Sequence, residues 1–539
     1  VHYLPGAGPE GMVSKGRDGA DRKALHAAAL LAARRLRAGE PAAQSPPEGT
    51  SPAAPATRAG EGAFLDAAAE ALRDAARSAL ASAPVALEER LLDLAVSSRA
   101  DAMPRLAGTL RGIAGDLAER RNRATRFDPA EALAAVARGY ALIAALRRDG
   151  ADPRLRGALR EAYEPAPTTE MIGLGVRLWG SDGGARGATA YLYAPEVEGR
   201  PRWLSATLAR AAGQDPAFRA AHAAVHEPSF GQTLARLGGA AFRLDAPRIS
   251  ADGRLATTQT GRAEPAALRW ADAVAARPGL ALTRWGEAGT RLAGAFRPSL
   301  RAVDQARHPL VLAPRAIEAL QFDAVAQMAW LPVEDADGAW MSLEVEDGPL
   351  ADSHIEILET LAEGRPPILT VLARERGGRV ALVPLALARP SGGVLEHLDL
   401  PPPRPVPRPA GESLMARLQR GLAVRVSGSL GLRWETTPGF TPSRLAEDVT
   451  ARLLAEAADE TLALAELGGR MEDPARSARL SVLSGRLDAA GLAILGRPLR
   501  LLAAAPKSDR PHHLLAFTYT LACYRRLNLS LPLVHRVKR

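Results

Sequence analysis

The chain has 539 residues, of which 47% are hydrophobic and only 4% aromatic, and its formal net charge is +9. This length predicts three or four domains and enough apolar surface for several hydrophobic cores. No run of about 18 apolar residues occurs, so we predict no transmembrane helix, and the amino terminus lacks the charged and apolar regions of a signal peptide.

The positive charge comes almost entirely from arginine, since only Lys15, Lys23, Lys507 and Lys538 are lysines. Most arginines have acidic or apolar neighbours in sequence, as solvated helix faces do. Nucleic-acid binding is therefore an alternative and not the first interpretation. The single cysteine, Cys523, excludes an intrachain disulfide and a cysteine-based zinc site. We expect a cytoplasmic protein.

The amino-terminal 62 residues are predicted to be a flexible segment with one short helix at about 22–37, followed by a linker rich in Pro, Ala, Ser and Gly. Apolar residues then recur with a period of 3.6 through 63–164, which predicts a helical bundle. Its clearest helix start has Asp128 as N-cap, Pro129 in the first turn and Glu131 two residues later. The arginine cluster at 120–126 lies near a helix C-terminus, where the helix dipole favours cations without any ligand.

A region rich in β-strands is predicted for 165–437, with a sub-boundary near 310–320. Its clearest strand alternates apolar residues from Ile172 to Leu178 and pairs in a hairpin with 188–193. Asp252 and Gly253 form a tight turn in a third run. Further predicted pieces are the hairpins 325–333 with 339–345, 368–372 with 380–387 and 423–427 with 430–434, helices near 266–276 and 314–320, and a proline-rich segment at 401–409.

The carboxy-terminal segment 438–530 is again helical, with three long leucine-rich helices that predict a second bundle, and 531–539 is predicted to be a basic tail. The predicted fold class is therefore a multidomain α+β protein. An amino-terminal helical bundle, a central mixed or antiparallel β-rich region and a carboxy-terminal helical bundle follow one another along the chain.

Several segments resemble the bacterial SWIM zinc-finger family in the region outside its zinc motif. They are 98–106 (SRADAMPRL), 173–179 (GLGVRLW) and the stretch from Ser229 and Phe230 through Arg243 and Leu244 to 250–255 (SADGRL). The family's zinc module has the form Cys-x-Cys followed by Cys-x-His, and the corresponding places here are 13–15 and 24–26. The resemblance implies a degenerate or missing zinc module, because His26 would be the one ligand left and a closed zinc site needs four. Family members are often encoded beside MoxR-type AAA ATPases and von Willebrand A-domain proteins, which implies a partner of either kind.

His222 and His226 are the candidate metal ligands, because residues four apart lie on one helix face. Ala223 stands where a zinc metalloprotease has its catalytic Glu, Pro228 ends the helix, and no third ligand is evident nearby. The adjacent pair His512 and His513 is interpreted as capping and surface groups. Two glycine motifs also lack the right context, since Gly173-x-Gly175 lies inside a strand and 427–431 (SGSLG) is not followed by a helix.

The seven tryptophans lie mostly in the middle region, where core packing is the expected role and a tryptophan-lined groove the alternative. No catalytic residue, cofactor or metal is assigned. The sequence favours a non-catalytic cytoplasmic interaction or adaptor protein with a protein partner and no membrane association. The alternatives are a nucleic-acid-binding protein that uses arginine-rich faces and a metal-dependent hydrolase that uses His222 and His226.

Overall fold

The computed structural model describes residues 2–3, 12–13 and 60–536, with gaps inside the last range. Several sequence-based predictions concern residues outside the described ones. They are His26, the predicted linker, the predicted strand pair 423–434 and the motif at 427–431. The gaps are 79–81, 123–126, 159–161, 181–183, 196–202, 212–214, 216, 258–260, 297–298, 301–307, 324–327, 346–349, 363, 377–378, 391–394, 401–439, 443–448 and 469–473.

The described helices lie in three parts of the chain: near its amino-terminal end, within the β-rich middle and near its carboxy-terminal end. The amino-terminal helices are α1 Glu61–Arg77, α2 Val85–Ala100, α3 Pro104–Arg121, α4 Pro129–Arg148 and the short α5 Pro153–Arg156. The middle helices are α6 Ala220–His226, α7 Leu234–Gly239, α8 Trp270–Ala275, α9 Trp285–Ala295 and α10 Ala351–Glu359. The carboxy-terminal helices are α11 Val449–Leu467, α12 Pro474–Ala489, α13 Ala493–Ala504 and α14 Arg510–Leu527.

The helices from both ends of the chain share one hydrophobic core. Leu72 of α1, Leu110 of α3 and Ile143 of α4 belong to the same buried cluster as Leu495 of α13 and Leu515 of α14. Periodicity alone predicts two bundles, whereas here the apolar faces of both segments cover one another. We call this unit, α1–α5 together with α11–α14, the helical block.

Helix α4 begins where the capping signal predicts. The Asp128 carboxylate oxygen Oδ1 accepts hydrogen bonds from the backbone N–H groups of Ala130 (2.8 Å) and Glu131 (3.3 Å). Of the described helices, α4 is the one that by length and composition could cross a membrane. Its apolar face packs in the shared core of the helical block.

We expect Asp128→Ala to lower the free energy of unfolding by about 1 kcal/mol, because two N–H groups in the first turn of α4 would lose their acceptor. Urea unfolding followed by circular dichroism measures the change. Asp128→Asn keeps an acceptor oxygen and should remain close to the native stability. Equal losses in both variants would contradict a capping role for Asp128.

The described strands are β1 His2–Tyr3, β2 Met12–Val13, β3 Tyr163–Pro165, β4 Thr169–Gly180, β5 Arg186–Tyr193, β6 Trp203–Arg210, β7 Pro228–Ser229, β8 Gln232–Thr233, β9 Ala241–Leu244, β10 Arg248–Ser250, β11 Ala263–Pro265, β12 Ala281–Leu282, β13 His308–Leu312, β14 Ala316–Ile317, β15 Gln321–Asp323, β16 Met328–Glu334, β17 Trp340–Val345, β18 Ile368–Arg376, β19 Arg379–Ala388, β20 Glu396–His397, β21 Phe440–Pro442 and β22 Leu533–Arg536.

Most of these strands form three main sheets, which the middle of the chain builds together with β21 and β22 from its carboxy-terminal part. The strand orders are β11-β9-β4-β5-β6 in sheet 1, β12-β13-β18-β19-β20 in sheet 2 and β14-β16-β17-β22-β21 in sheet 3, where β15 also pairs with β16. Neighbouring strands in these sheets are antiparallel except for the parallel pair β12 and β13.

The three sheets pack face to face, and we call them together with α6–α10 the β stack. Helices α6 and α7 cover the outer face of sheet 1. The core between sheets 1 and 2 joins Leu174 of β4 to Leu385 of β19. The core between sheets 2 and 3 joins Val371 of β18 to Leu331 and Leu343, and it includes apolar side chains of α9 and α10. The predicted α+β class with helices at both ends is therefore confirmed.

The structure differs from the sequence-based expectations in three segments. Instead of a helix at 314–320 there is strand β14, because Ala316 and Ile317 pair with Glu334 and Val333 of β16. The carboxy-terminal segment has four helices and not three, since Gly491 adopts a positive φ of 78° between α12 and α13. The predicted tail contributes strand β22, which fills the position between β17 and β21 and satisfies backbone groups of both.

Candidate functional site

A group of charged and titratable side chains surrounds Asp399, which lies two residues beyond β20. The N–H of Leu398 donates to the carbonyl of Leu385, and this bond holds the chain against β19. Asp399 is 2% exposed and points towards β4 of sheet 1. With Arg177, His354 and His397 it forms what we call the Asp399 cluster.

The Asp399 carboxylate contacts groups from two other elements. Oδ2 accepts a hydrogen bond from the backbone N–H of Leu178 (2.7 Å), and Oδ1 accepts one from Nη1 of Arg177 (3.2 Å). Nε2 of His354, on α10, lies 3.1 Å from Oδ1 but without the alignment of a hydrogen bond. The carboxylate thus connects sheet 1, sheet 2 and α10.

This arrangement stabilises the fold more readily than it performs catalysis. A His–Asp pair can orient a general base, but the base must reach a substrate proton. Here the Asp399 carboxylate and the His354 side chain are both buried, with 1% and 6% of the side chain exposed. A buried carboxylate needs a charged or hydrogen-bonded partner, and Arg177 with the Leu178 N–H supplies both. We therefore interpret the cluster as a joint between layers of the β stack.

His397 contributes a second connection at the same place. Its Nε2–H donates to the backbone carbonyl of Ala235 in α7 (2.8 Å), so β20 is held against the helix that covers sheet 1. Its Nδ1 is buried and has no hydrogen-bond partner among the described residues. Burial lowers the pKa of His397, which the hydrogen bond to Ala235 and the charge of Asp399 oppose. The neutral imidazole is thus the form that suits the fold.

We expect the protein to lose stability as the pH falls below about 6.5, the ordinary pKa of histidine. Because the pKa of His397 is lower in the folded state, the unfolded chain takes up this proton first, and acid favours unfolding. Urea unfolding at about pH 7.5 and about pH 5.5 should show a larger loss in the native protein than in His397→Gln.

Some pH dependence should remain in His397→Gln, because burial also lowers the pKa of His512. An identical loss in the native protein and in His397→Gln would contradict the role of His397. A native protein that becomes more stable in acid over this range would contradict it as well.

The predicted pair His222 and His226 does come together on α6. The ring centroids are 4.3 Å apart and both side chains are exposed. Glu227, the nearest carboxylate in sequence, instead accepts from Nη2 of Arg210 (3.3 Å). Within the part of the chain that the structure describes, no group of three or more His, Cys, Asp or Glu side chains could hold a metal. The pair therefore brings two imidazoles together but no further ligand.

His512 and the arginine cluster connect helices in the helical block. Nδ1 of His512, at the start of α14, lies 2.9 Å from the hydroxyl of Tyr140 on α4.

Arg121 forms an ion pair with Glu88 of α2, and the Arg120 guanidinium lies 5.5 Å from the centre of the Phe127 ring. The described part of this arginine cluster is thus engaged within the protein.

Of the six tryptophans that the structure describes, Trp270, Trp285 and Trp330 are buried in hydrophobic cores. Nε1 of Trp270 donates to the carbonyl of Gly173 (2.6 Å), and Nε1 of Trp285 donates to the carbonyl of Val333 (3.3 Å), both in buried positions. These two bonds join α8 to sheet 1 and α9 to sheet 3. Their indole rings are therefore part of the cores and not of a groove.

An aromatic cluster on sheet 3 escaped sequence-based prediction. Trp340 and Phe440 lie with ring centroids 4.8 Å apart, and Trp330 lies 6.3 Å from Phe440. The guanidinium of Arg536 covers Trp340 and Phe440 at 5.9 and 6.0 Å from their centroids and pairs with Glu318. Phe440 and Arg536 are neighbours only through the pairing of β21 with β22, which no local pattern reveals. The guanidinium of Arg536 thus packs against a largely buried aromatic cluster.

Comparison with known proteins adds no family assignment: no protein-family model, curated protein or solved structure matches the chain. The resemblance to SWIM zinc-finger proteins therefore stays a sequence-based prediction. The function must therefore be inferred from the structure itself, in which the buried Asp399 carboxylate connects sheet 1, sheet 2 and α10.

Proposed function

We propose that the protein is a non-catalytic cytoplasmic interaction protein of the scaffold or adaptor type, which binds a protein partner through the helical block. One observation carries the proposal. Eleven large hydrophobic side chains are exposed among the described residues, and nine of them lie on the helical block. They are Val85, Leu92, Val96, Val449, Leu467, Val482, Ile494, Leu501 and Leu527.

A contiguous exposed apolar patch is typical of a protein-binding surface, and these nine side chains are the ones available on the helical block to form such a patch. The β stack, which has the larger share of buried polar groups described above, carries only Val225 and Leu268 of the same set. This division supports a stabilising role for the β stack and a binding role for the helical block. The resemblance to SWIM proteins adds the expectation that the partner is an AAA ATPase or a von Willebrand A-domain protein.

Nucleic-acid binding remains the alternative, and the pairing of arginines does not favour it. On the helical block Arg486 contacts Glu456 (2.7 Å) and Arg147 contacts Asp66, so these cations are already neutralised by carboxylates. Binding to a nucleic acid requires cations that can contact phosphates, and it weakens steeply as salt rises. Filter binding across a salt series tests this alternative, which fails if neither DNA nor RNA is retained.

Affinity capture from a bacterial lysate tests the proposed function. The native protein should recover a reproducible protein partner, and Val96→Glu or Ile494→Glu should reduce that recovery, because each places a charge on the exposed apolar surface. Val225→Glu is the matched control, since Val225 is an exposed valine on α6 of the β stack. The proposal fails if no protein is reproducibly recovered, or if Val225→Glu alone reduces recovery.

A further inference from the structure

Helix α6 of the β stack presents two exposed histidines that lie against one another. The ring centroids of His222 and His226 are 4.3 Å apart, with an angle of 43° between the ring planes. Within the described part of the chain, no hydrogen bond or ion pair engages either imidazole. The ring nitrogens of both side chains are therefore accessible to a ligand from solvent.

Other histidines in the β stack are engaged in the fold. Nε2 of His397 donates to the carbonyl of Ala235 at 2.8 Å, and the His308 ring packs edge-on against Phe296 with centroids 5.2 Å apart. These rings connect elements of the β stack. The pair on α6 differs from them, because its two rings lie on the outer side of a helix and join it to no other element.

The backbone of α6 holds the two imidazoles at a fixed spacing. Residues four apart on a helix project from the same face, one turn above the other. On the opposite face Ala223 and Ala224 are buried, and Ala224 belongs to the core that α6 shares with sheet 1. The N–H of Ala223 donates to the carbonyl of Arg219, and the N–H of Glu227 donates to the carbonyl of Ala223, both at 2.9 Å. The pair is thus presented on a helix that is already formed and anchored.

Two imidazoles at this spacing suit a divalent late-transition metal ion. Imidazole nitrogen ligates Ni²⁺, Cu²⁺ and Zn²⁺, whereas Mg²⁺ and Ca²⁺ prefer oxygen ligands. Once one imidazole has bound the metal, the second binds it intramolecularly, which raises the affinity of the pair above that of either ring. A structural zinc site is closed by four protein ligands, but Ni²⁺ and Cu²⁺ accept tetragonal coordination by nitrogen and oxygen. Water can supply the oxygen ligands at an exposed site.

The charged side chains next to the pair are directed to other groups. The Glu227 carboxylate accepts a hydrogen bond from Nη2 of Arg210 at 3.3 Å. Nη1 of Arg219, at the start of α6, donates to the carbonyl of Phe218 at 3.2 Å. Neither side chain occupies the imidazole nitrogens, so the donor set of the pair is the two rings alone.

We propose that His222 and His226 form a chelating site for one divalent late-transition metal ion, with both imidazoles as ligands and the other coordination positions open to water. The site goes beyond the proposed function and is independent of it, because α6 belongs to the β stack and partner binding is assigned to the helical block. It concerns metal binding and includes no hydrolytic step.

Equilibrium dialysis of the untagged full chain against NiCl₂ tests the proposal. The native protein should take up one Ni²⁺ per chain more than the double variant His222→Asn with His226→Asn. Each single variant should bind this ion about tenfold more weakly or worse, because one imidazole alone cannot chelate. With MgCl₂ in place of NiCl₂, the native protein and the double variant should not differ.

The double variant His512→Asn with His513→Asn is the matched control. These two histidines are adjacent on α14, where neighbouring side chains point about 100° apart. In addition, Nδ1 of His512 lies 2.9 Å from the hydroxyl of Tyr140. The control should therefore bind Ni²⁺ like the native protein. Circular dichroism verifies that all variants are folded.

A second measurement uses the dependence of chelation on the folded helix. Ni²⁺ should raise the urea midpoint of the native protein more than that of either single variant, because a ligand that prefers the folded state stabilises it. The proposal is overturned if the native protein and the His222 and His226 double variant take up equal amounts of Ni²⁺. It is also overturned if either single variant binds like the native protein, or if only the His512 and His513 variant loses the ion. None of these results depends on the affinity capture that tests the proposed function.

Discussion

Replacing Asp399 by alanine is expected to lower the free energy of unfolding of the β stack by about 3–5 kcal/mol, the usual cost of removing one partner of a buried ion pair. The variant would remove the Asp399 carboxylate from the Arg177 guanidinium and the carboxylate acceptor from the Leu178 N–H. The Arg177 side chain is 14% exposed and the Asp399 side chain 1% exposed, so the lost ion pair is largely buried. Urea unfolding of the variant followed by tryptophan fluorescence measures the loss.

Two further variants separate this buried contact from general surface effects. Asp399→Asn keeps an acceptor oxygen for the Leu178 N–H but removes the charge, so it should lose less stability than Asp399→Ala. Asp272→Ala removes an exposed ion pair with Arg269 and should cost about 1 kcal/mol or less. A loss from Asp399→Ala no larger than that from Asp272→Ala would contradict the role of Asp399 as a joint.

A second large loss of stability is expected when Gly173 of β4 is replaced by alanine. A Cβ atom at this position would lie 2.1 Å from the backbone oxygen of Leu237 and 2.4 Å from the carbonyl carbon of Gly238, both in α7. Backbone atoms cannot move aside as a flexible side chain can. Gly173→Ala should therefore force β4 and α7 apart and lower the free energy of unfolding by about 3 kcal/mol.

Gly112→Ala is the matched control for Gly173→Ala. Gly112 lies in the middle of α3, and a Cβ there would meet no other atom within 4 Å. Alanine restricts the unfolded chain more than glycine does, so Gly112→Ala should raise stability by about 0.5–1 kcal/mol. The two changes in opposite directions are measured by the same urea unfolding experiment. A stabilising Gly173→Ala would contradict the close approach of α7 to β4.

Local patterns were sufficient to predict several elements. The alternation from Ile172 to Leu178 falls within β4, and the turn before Ala339 joins β16 to β17 as predicted. The cap at Asp128 was predicted because its signal lies within four residues. In each case the deciding interactions connect residues close together in sequence.

The relations between distant segments could not be predicted in this way. Arg177 and Asp399 are separated by 222 positions, and nothing near either residue indicates that one binds the other. The shared core of the helical block joins the first and last helices described, and a leucine stripe does not reveal which helix will cover it. Strand β22 likewise forms because β17 and β21 offer unpaired backbone groups, and that depends on the assembled sheet.

Gly173 and Gly175 are a further case in which a local sequence pattern does not reveal contacts with distant segments. Their spacing invited comparison with a nucleotide-binding loop, and their position inside a strand argued against it. The structure adds the physical reason for small residues there. Gly173 lies against the backbone of α7, and a Cβ at Gly175 would lie 2.6 Å from Cγ of Leu385 in sheet 2. These glycines allow the layers to pack closely.

The division between a stabilising β stack and a binding helical block is tested most directly by hydrogen–deuterium exchange of the full chain, alone and with the protein recovered in the affinity capture. The proposed function predicts slower exchange on binding in α2, in the hairpin of α12 and α13, or in both. Exchange around Arg177 and Asp399 should not change. Slower exchange confined to the β stack, with the helical block unaffected, would contradict it.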